Sequence, residues 1–212
     1  MALQDIINDT TAILNRDDAT PAMLQAFVLQ AIARIQREAR LPSMERQQLI
    51  TATADMDWFP VPADIIQPID ILVPDQWDGN PTPLIKRPFR RLMRMNPLGY
   101  PTAYARFQGQ YWVRGRVPSG TLIQCLYYGT FSPFASLTAE NELSLSSPDL
   151  AVYGALSYAG DQFQHPSTPT WEGRYQQILA SVTQAGADID NEGGPEVIEP
   201  MARDGYEWSI YP

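Results

Sequence analysis

The sequence predicts an α+β fold in which N- and C-terminal helices form a bundle, a small antiparallel β region lies between them, and an extended tail follows. Three observations lead there. Apolar residues recur at helical spacing near both ends of the 212-residue chain. Nine of the 19 prolines fall between Pro60 and Pro101, a density that suits irregular chain and edge strands rather than long helices. Beyond that stretch, short apolar segments alternate with glycine-containing turns. The implied division is 1–42 for the N-terminal helices, 43–146 for a β-rich centre with a short basic helix, 147–185 for a C-terminal helix pair, and 186–212 for an acidic tail.

Residues 3–14 predict a short helix with Leu3, Ile6, Ile7, Ile13 and Leu14 on its apolar side. Asp9, Thr10 and Thr11 weaken it, so it needs a surface to lie on. A stronger helix follows, capped by Thr20 with Pro21 at its first position; Leu24, Phe27, Val28, Ala31, Ile32 and Ile35 form one stripe, and Pro42 ends the run. Between Glu45 and Val61 a hairpin is expected, with Leu49 to Thr53 as one arm, a turn at Asp55 to Asp57, and Trp58 and Phe59 in the other. Ile69 to Val73 reads as a short strand, and Asp78-Gly79-Asn80 as a turn.

Phe89, Leu92 and Met93 share one side of a two-turn helix whose other side carries Arg90, Arg91 and Arg94. Three strands, Tyr104 to Phe107, Tyr111 to Val117 and Thr121 to Tyr128, should then form a meander. The last is apolar almost throughout and is expected to be central and covered on both faces, so Gln124 must find hydrogen-bond partners or mark an exposed edge. Ser147 and Pro148 open a helix that is apolar nearly all round, and Gly154 and Gly160 within it predict close approach by a neighbour. After the bend Gln164 to Ser167, Thr168-Pro169 starts an antiparallel partner that bears Trp171, Tyr175, Ile178, Leu179 and Val182 and stops at Gly186.

The formal charge of −9 is unevenly distributed. No acid occurs from Gly79 to Ala139, where Lys86, Arg87, Arg90, Arg91, Arg94, Arg106, Arg114 and Arg116 make the segment +8 and leave −17 for the remainder. A basic module between acidic ends suits self-assembly, positive region against a neighbour's negative one; a solvated face of mixed sign is the plainer reading. Seven acids and one arginine follow Gly186. That composition does not fold alone, so Tyr206, Trp208, Ile210 and Tyr211 are expected to dock the tail on another surface, that of a second subunit.

Catalytic chemistry finds little support. The single cysteine, Cys125, rules out an internal disulfide and lies in the most apolar strand, where it reads as a small hydrophobe. His165 is the sole histidine and sits in a proline-flanked bend. Asp17-Asp18, Asp55-x-Asp57 and Asp188-x-Asp190 fall at caps, turns or tail, and neither a phosphate-binding loop nor a dinucleotide fingerprint is present. No cofactor is implied. The start of the chain lacks the pattern of a cleaved signal, and there is no apolar 18-residue run to span a membrane. Nucleic-acid contact is the competing reading, with the arginines of 86–116 as a phosphate track and Tyr111 and Trp112 as stacking platforms.

Several phrases resemble the head-tail adaptor, or connector, proteins of tailed bacteriophages. They are Ala63-Asp64-Ile65-Ile66 with Ile69 to Leu72, the strand ending Leu126-Tyr127-Tyr128, and above all Ser147-Pro148-Asp149-Leu150-Ala151-Val152-Tyr153-Gly154-Ala155-Leu156 followed by Thr170-Trp171-Glu172-Gly173-Arg174-Tyr175-Gln176-Gln177. The likeness covers Pro21 to Gln184. It implies a virion protein without catalytic residues, made in the host cytoplasm and placed at the head-tail junction. Such a protein docks beneath the portal ring, extends the DNA channel and offers a surface to tail or nozzle proteins, commonly as twelve copies that DNA passes without sequence-specific binding. Pro148, Asp149, Leu150, Tyr153, Leu156, Trp171 and Tyr175 are then structural residues of the helix pair, and Lys86, Arg87, Arg90, Arg91 and Arg94 an interface to the portal or a neighbouring subunit. A head-closure or tail-tube protein, or a DNA-binding accessory protein using residues 86–116, is the alternative.

Overall fold

The computed structural model describes residues 1–53, 56–75, 79–97, 99–115 and 117–190, the last two for backbone alone. Asp55 and Asp78 of the expected turns, Arg116, and the tail anchors Tyr206, Trp208, Ile210 and Tyr211 lie outside the described residues. Helices α1 (Leu3–Leu14) and α2 (Pro21–Glu38) lead through a 3-10 turn (Pro42–Met44) into strands β1 (Glu45–Thr51), β2 (Trp58–Pro60), β3 (Ile65–Pro74), β4 (Pro81–Pro83) and β5 (Ile85–Lys86). One turn of helix, α3 (Phe89–Leu92), precedes β6 (Ala103–Phe107), β7 (Gln110–Val113) and β8 (Leu122–Gly129). Helices α4 (Glu142–Ser146), α5 (Pro148–Phe163) and α6 (Thr168–Asp190) close the described chain.

The small central β region is corrected. The strands form two four-stranded sheets, ordered β1-β8-β3-β4 and β2-β7-β6-β5, which face each other across a core of their own that includes Phe59, Tyr104 and Tyr111 from one sheet and Ile71, Ile123 and Cys125 from the other. The β part is also not wholly antiparallel, because β5 runs parallel to β6 with Ile85 opposite Ala103. The expected hairpin does not form: β1 pairs with β8 and β2 with β7, in different sheets. The meander likewise stops after β6 and β7, and β8 crosses to the first sheet. These pairings join residues tens of positions apart, so local turn signals carried no trace of them.

β8 is central, between β1 and β3, yet only one of its faces is fully buried. Ile123, Cys125, Tyr127 and Gly129 point inward, while Leu122 is 48% exposed on the other face. Gln124 lies on that outer face and accepts a hydrogen bond from Gln47 Nε2 at 3.3 Å. The prolines follow the geometry of missing donors. Pro60 and Pro81 to Pro83 occupy edge strands, and Pro68 sits at a bulge of β3 beyond the reach of β4.

The four long helices share a separate core. All six stripe residues of α2 are buried, and Thr20 Oγ1 accepts from Met23 N at 3.4 Å. α1 lies on α2 and α5. Thr10 takes the buried place expected of Ile13, its hydroxyl satisfied by donation to the Ile6 carbonyl at 2.7 Å, and Ile13 is 41% exposed. Ser147 makes no side-chain cap on α5, and α6 runs on past Gly186 to Asp190. Thr168 does not cap either: its hydroxyl donates to the His165 carbonyl at 2.6 Å.

Two glycines set the spacing around α5. A Cβ on Gly154 would lie 2.9 Å from Ala31 Cβ of α2, and one on Gly160 would lie 2.4 Å from Thr168 Oγ1 at the start of α6. Tyr175 packs at Gly154 and Thr168 at Gly160, so α6 descends along α5 as α5 ascends.

A fork of charge closes the gap between α2 and α6. Arg34 Nη1 and Nη2 donate to Glu172 Oε2 and Oε1 at 2.9 and 2.6 Å, and its Nε donates to Glu38 Oε1 at 2.8 Å. Its guanidinium stacks 4.3 Å from the Tyr175 ring centroid, while Tyr175 Oη donates to Glu38 Oε2 at 2.7 Å. The Arg34 bonds hold the Glu172 carboxyl down to about 2, against the opposing pull of burial. Burial first, and then the bond to Glu38, pushes the Tyr175 hydroxyl above its ordinary value. Arg46 Nη2 and Glu142 Oε1, 2.5 Å apart, make a second tie, between β1 and α4.

Two outcomes follow for stability. Gly154→Val should cost about 1–3 kcal/mol by overpacking against Ala31, whereas Gly173→Ala, on an exposed helical position with nothing near its Cβ, should add about 0.5–1 kcal/mol; urea denaturation reads both. Because the Glu172 carboxyl is held below its ordinary value of 4.5, its contribution is complete above that value and fades as pH falls toward about 2. The stability gap between wild type and Glu172→Gln should therefore be level at neutral pH and shrink on acidification; a gap that widened in acid would contradict the Arg34 fork.

Candidate interaction surfaces

The basic cluster is built around α3 on the outer face of the second sheet, with Lys86 on its β5 edge in register with Tyr104. β6 alternates: Tyr104 turns into the inter-sheet core, and Ala103 and Ala105 turn outward. Their small side chains let α3 settle on the sheet with Leu92 fully buried against them, and Phe89, Met93, Met95 and Trp112 complete a third, small core. Phe89 stacks on Phe107 at 4.3 Å and meets Trp112 edge-on at 5.6 Å. The helix has one turn, not two, because Met93 and Arg94 already leave it. The chain ahead of it is pinned by β5 and by Arg87 N, which donates to the Tyr104 carbonyl at 2.8 Å.

With the apolar side of α3 held down, Lys86, Arg87, Arg90, Arg91 and Arg94 all stand exposed. No carboxylate among the described residues lies within ion-pair distance of any of them. Three cations elsewhere do find carboxylates: Arg16 is bound to Asp18, Arg34 of α2 to Glu38 and Glu172, and Arg46 of β1 to Glu142. Beside the cations the same sheet carries Ile85 (45% exposed), Phe107 (42%) and Trp58 (43%), and Trp58 pairs across the strands with Trp112. The face is thus basic and aromatic together.

The expected phosphate track comes apart in part. Tyr111 is fully buried between the sheets, edge-on to Tyr104 at 5.6 Å, and cannot stack on a base. Trp112 does face outward, half-buried, and Arg114 donates from Nε to the Met95 carbonyl at 3.4 Å, so it braces the chain after α3.

The helix-pair residues are placed as follows. Pro148 opens α5, Asp149 Oδ1 accepts from Leu150 N at 3.0 Å, and Leu150 and Leu156 are fully buried. Tyr153 is half-buried beside a groove of about 440 Å³ that Asp149, Arg174 and Val182 also line. Trp171 stacks on His165 at 4.6 Å, and Tyr175 is fully buried. The Arg34 fork and the Arg46–Glu142 pair went unread in the sequence; their partners are 138 and 96 residues apart, and no local pattern marks such pairs.

The candidates for chemistry take structural places. His165 Nδ1 accepts from Ser167 N at 3.2 Å in the bend before α6. Cys125 is fully buried and its thiol is pushed up to about 11 by that burial, which keeps it protonated. Asp18 is taken by Arg16, and no group of three or more His, Cys, Asp or Glu among the described residues could hold a metal ion. No described helix is long and apolar enough to cross a membrane.

A family model described as SU10 adaptor protein matches residues 1–200. The chain belongs to that family. The match reaches further than the resemblance over Pro21 to Gln184, since it takes in α1 at one end and part of the acidic tail at the other. A comparison with curated proteins finds no match. As a member of a phage adaptor family the chain is a structural protein of the virion that works through contact with other head and tail proteins.

If the arginines serve contact and Leu92 serves the fold, substitutions should separate the two. Arg90→Ala, Arg91→Ala and Arg94→Ala should each change stability by no more than about 0.5 kcal/mol, and Leu92→Ala should cost about 2–5 kcal/mol. Chemical denaturation of the four variants measures this; equal losses would put the arginines in the fold instead.

Proposed function

We propose that the protein is a head-tail adaptor that docks beneath the portal ring, extends the DNA channel and presents the attachment surface for tail or nozzle proteins. In this reading it forms a closed ring of twelve copies. The carrying observation is the SU10 adaptor match, which spans the helical layer and both sheets. Support comes also from the cluster of Lys86, Arg87, Arg90, Arg91 and Arg94, because a cationic field that no carboxylate among the described residues pairs favours an acidic surface. That surface belongs to the portal or to the neighbouring copy. A channel wall lined with cations would retard a polyanion, so these groups point outward or into interfaces, and DNA passes without sequence-specific binding.

The chain divides its work in this reading by segment. Residues 1–42 and 147–185 make the helical body, 43–146 carry the basic contact face, and 186–212 reach for a partner. Electron microscopy of the virion tests the proposal directly. A closed ring of this protein against the portal is expected; density confined to the tail tube, or no density at the neck, would overturn it. Arg90→Glu, Arg91→Glu and Arg94→Glu together should lower incorporation into particles on the order of tenfold while the isolated chain still folds.

A further inference from the structure

Resting on the adaptor reading, we propose that the acidic segment 191–212 of one copy docks on the basic and aromatic outer face of the second sheet of the adjacent copy. The two surfaces match in both of their unusual properties. The segment holds five acids and one arginine, and its last seven residues include Tyr206, Trp208, Ile210 and Tyr211. The face holds cations without carboxylate partners among the described residues, beside exposed Trp58, Phe107 and Ile85. A patch that was only basic would suit any polyanion, and one that was only apolar would suit any hydrophobe. Both together select an extended acidic peptide that carries aromatic anchors. In extended chain Tyr206, Trp208 and Ile210 fall on one side, the spacing needed to lie along such a platform.

Reach allows the contact. Twenty-two residues span up to about 70 Å when extended. They follow α6, whose last turns pass the 3-10 turn that enters β1: a Cβ on Gly186 would sit 2.9 Å from the Pro42 ring. β1 belongs to the first sheet and the receiving face to the second. A tail that leaves from one side and a face that waits on another are two unlike surfaces, the requirement for a head-to-tail contact that closes a ring. We therefore assign the tail to the next copy rather than its own.

The test uses the full chain. Trp208→p-benzoylphenylalanine, prepared in heavy-isotope and ordinary forms and mixed, is irradiated and the cross-linked peptides are sequenced. Mixed-isotope cross-links from position 208 into residues 58–60 and 85–112 are expected. Their yield should fall on the order of tenfold in the Arg90→Glu, Arg91→Glu, Arg94→Glu background and with added salt, while circular dichroism stays unchanged. Cross-links confined to one copy, cross-links to another surface, or none would overturn the proposal. So would retention of duplex DNA by the full chain in place of those cross-links, which would assign the face to nucleic acid. A ring seen at the portal with no such cross-link would refute the tail contact alone; absence from the neck would refute the adaptor reading itself.

Discussion

The contact between Gly154 of α5 and Ala31 of α2 sets the distances on which the helical layer depends. With hydrogen alone at position 154 the two helices approach until the Ala31 methyl group nearly fills the space of the missing side chain. Gly160 does the same for Thr168, and the two spacings together fix where α6 lies. Only at that separation does Arg34 on α2 reach Glu172 on α6 with both arms of its guanidinium, and only there does the Tyr175 ring pass under that guanidinium to find Glu38. The polar fork follows from the close packing rather than causing it. Bidentate geometry at 17% side-chain exposure for Arg34 makes the fork more than a solvated surface pair, because less water competes for its donors.

The same packing explains why charge is available elsewhere. The helical layer and its junction with β1 turn several carboxylates on their own cations: Glu38 and Glu172 on Arg34, Asp18 on Arg16, and Glu142 on Arg46. Across residues 79–139 there are no acids to do likewise. The cations on and beside α3 therefore face solvent with their field intact, which is costly to leave near other cations and favourable to present to an anionic partner. An adaptor needs such a surface, and it must be placed where substitution of its charges leaves the core alone. Leu92, Ala103 and Ala105 supply that separation, since they hold α3 from beneath while its arginines stand exposed.

The sequence made the helices legible and the sheets far less so. Helical periodicity is local: the stripe from Leu24 to Ile35 and the small residues of α5 announce burial within a window of a few turns. The β part depends on long-range pairing. β1 and β8 show strand composition, but nothing in either names the other as partner, and the expectation of hairpins filled that gap with neighbours. The count of strands suffered in the same way, because Pro81 to Pro83 and Ile85 to Lys86 are too short to register as strands until a sheet is present to receive them. Among the interaction residues, the basic cluster was legible from the absence of acids alone, whereas the exposure of Trp58 and Phe107 beside it was not. Strand composition placed both in strands without saying which side they would face, and only the pairing of β2 with β7 and the stacking of Phe89 bring them to the outer face.

The two sheets are tied to the helical layer unequally, and this bears on how a docking force would travel. The first sheet joins the helices directly: Arg46 of β1 binds Glu142 of α4, and Ile66 of β3 and Tyr128 of β8 pack against the helical core. Among the described residues the helical core draws none from the second sheet, which meets the first through the inter-sheet core. A load applied at α3 can pass through Leu92 into β6, through Tyr104 and Tyr111 into β8, and from β8 through Tyr128 into the helical core. Interiors packed without voids transmit such displacement with little loss. A partner seated on the basic face is thereby coupled to the helical body through side chains that carry no charge, so salt would weaken the docking without loosening that path beneath it.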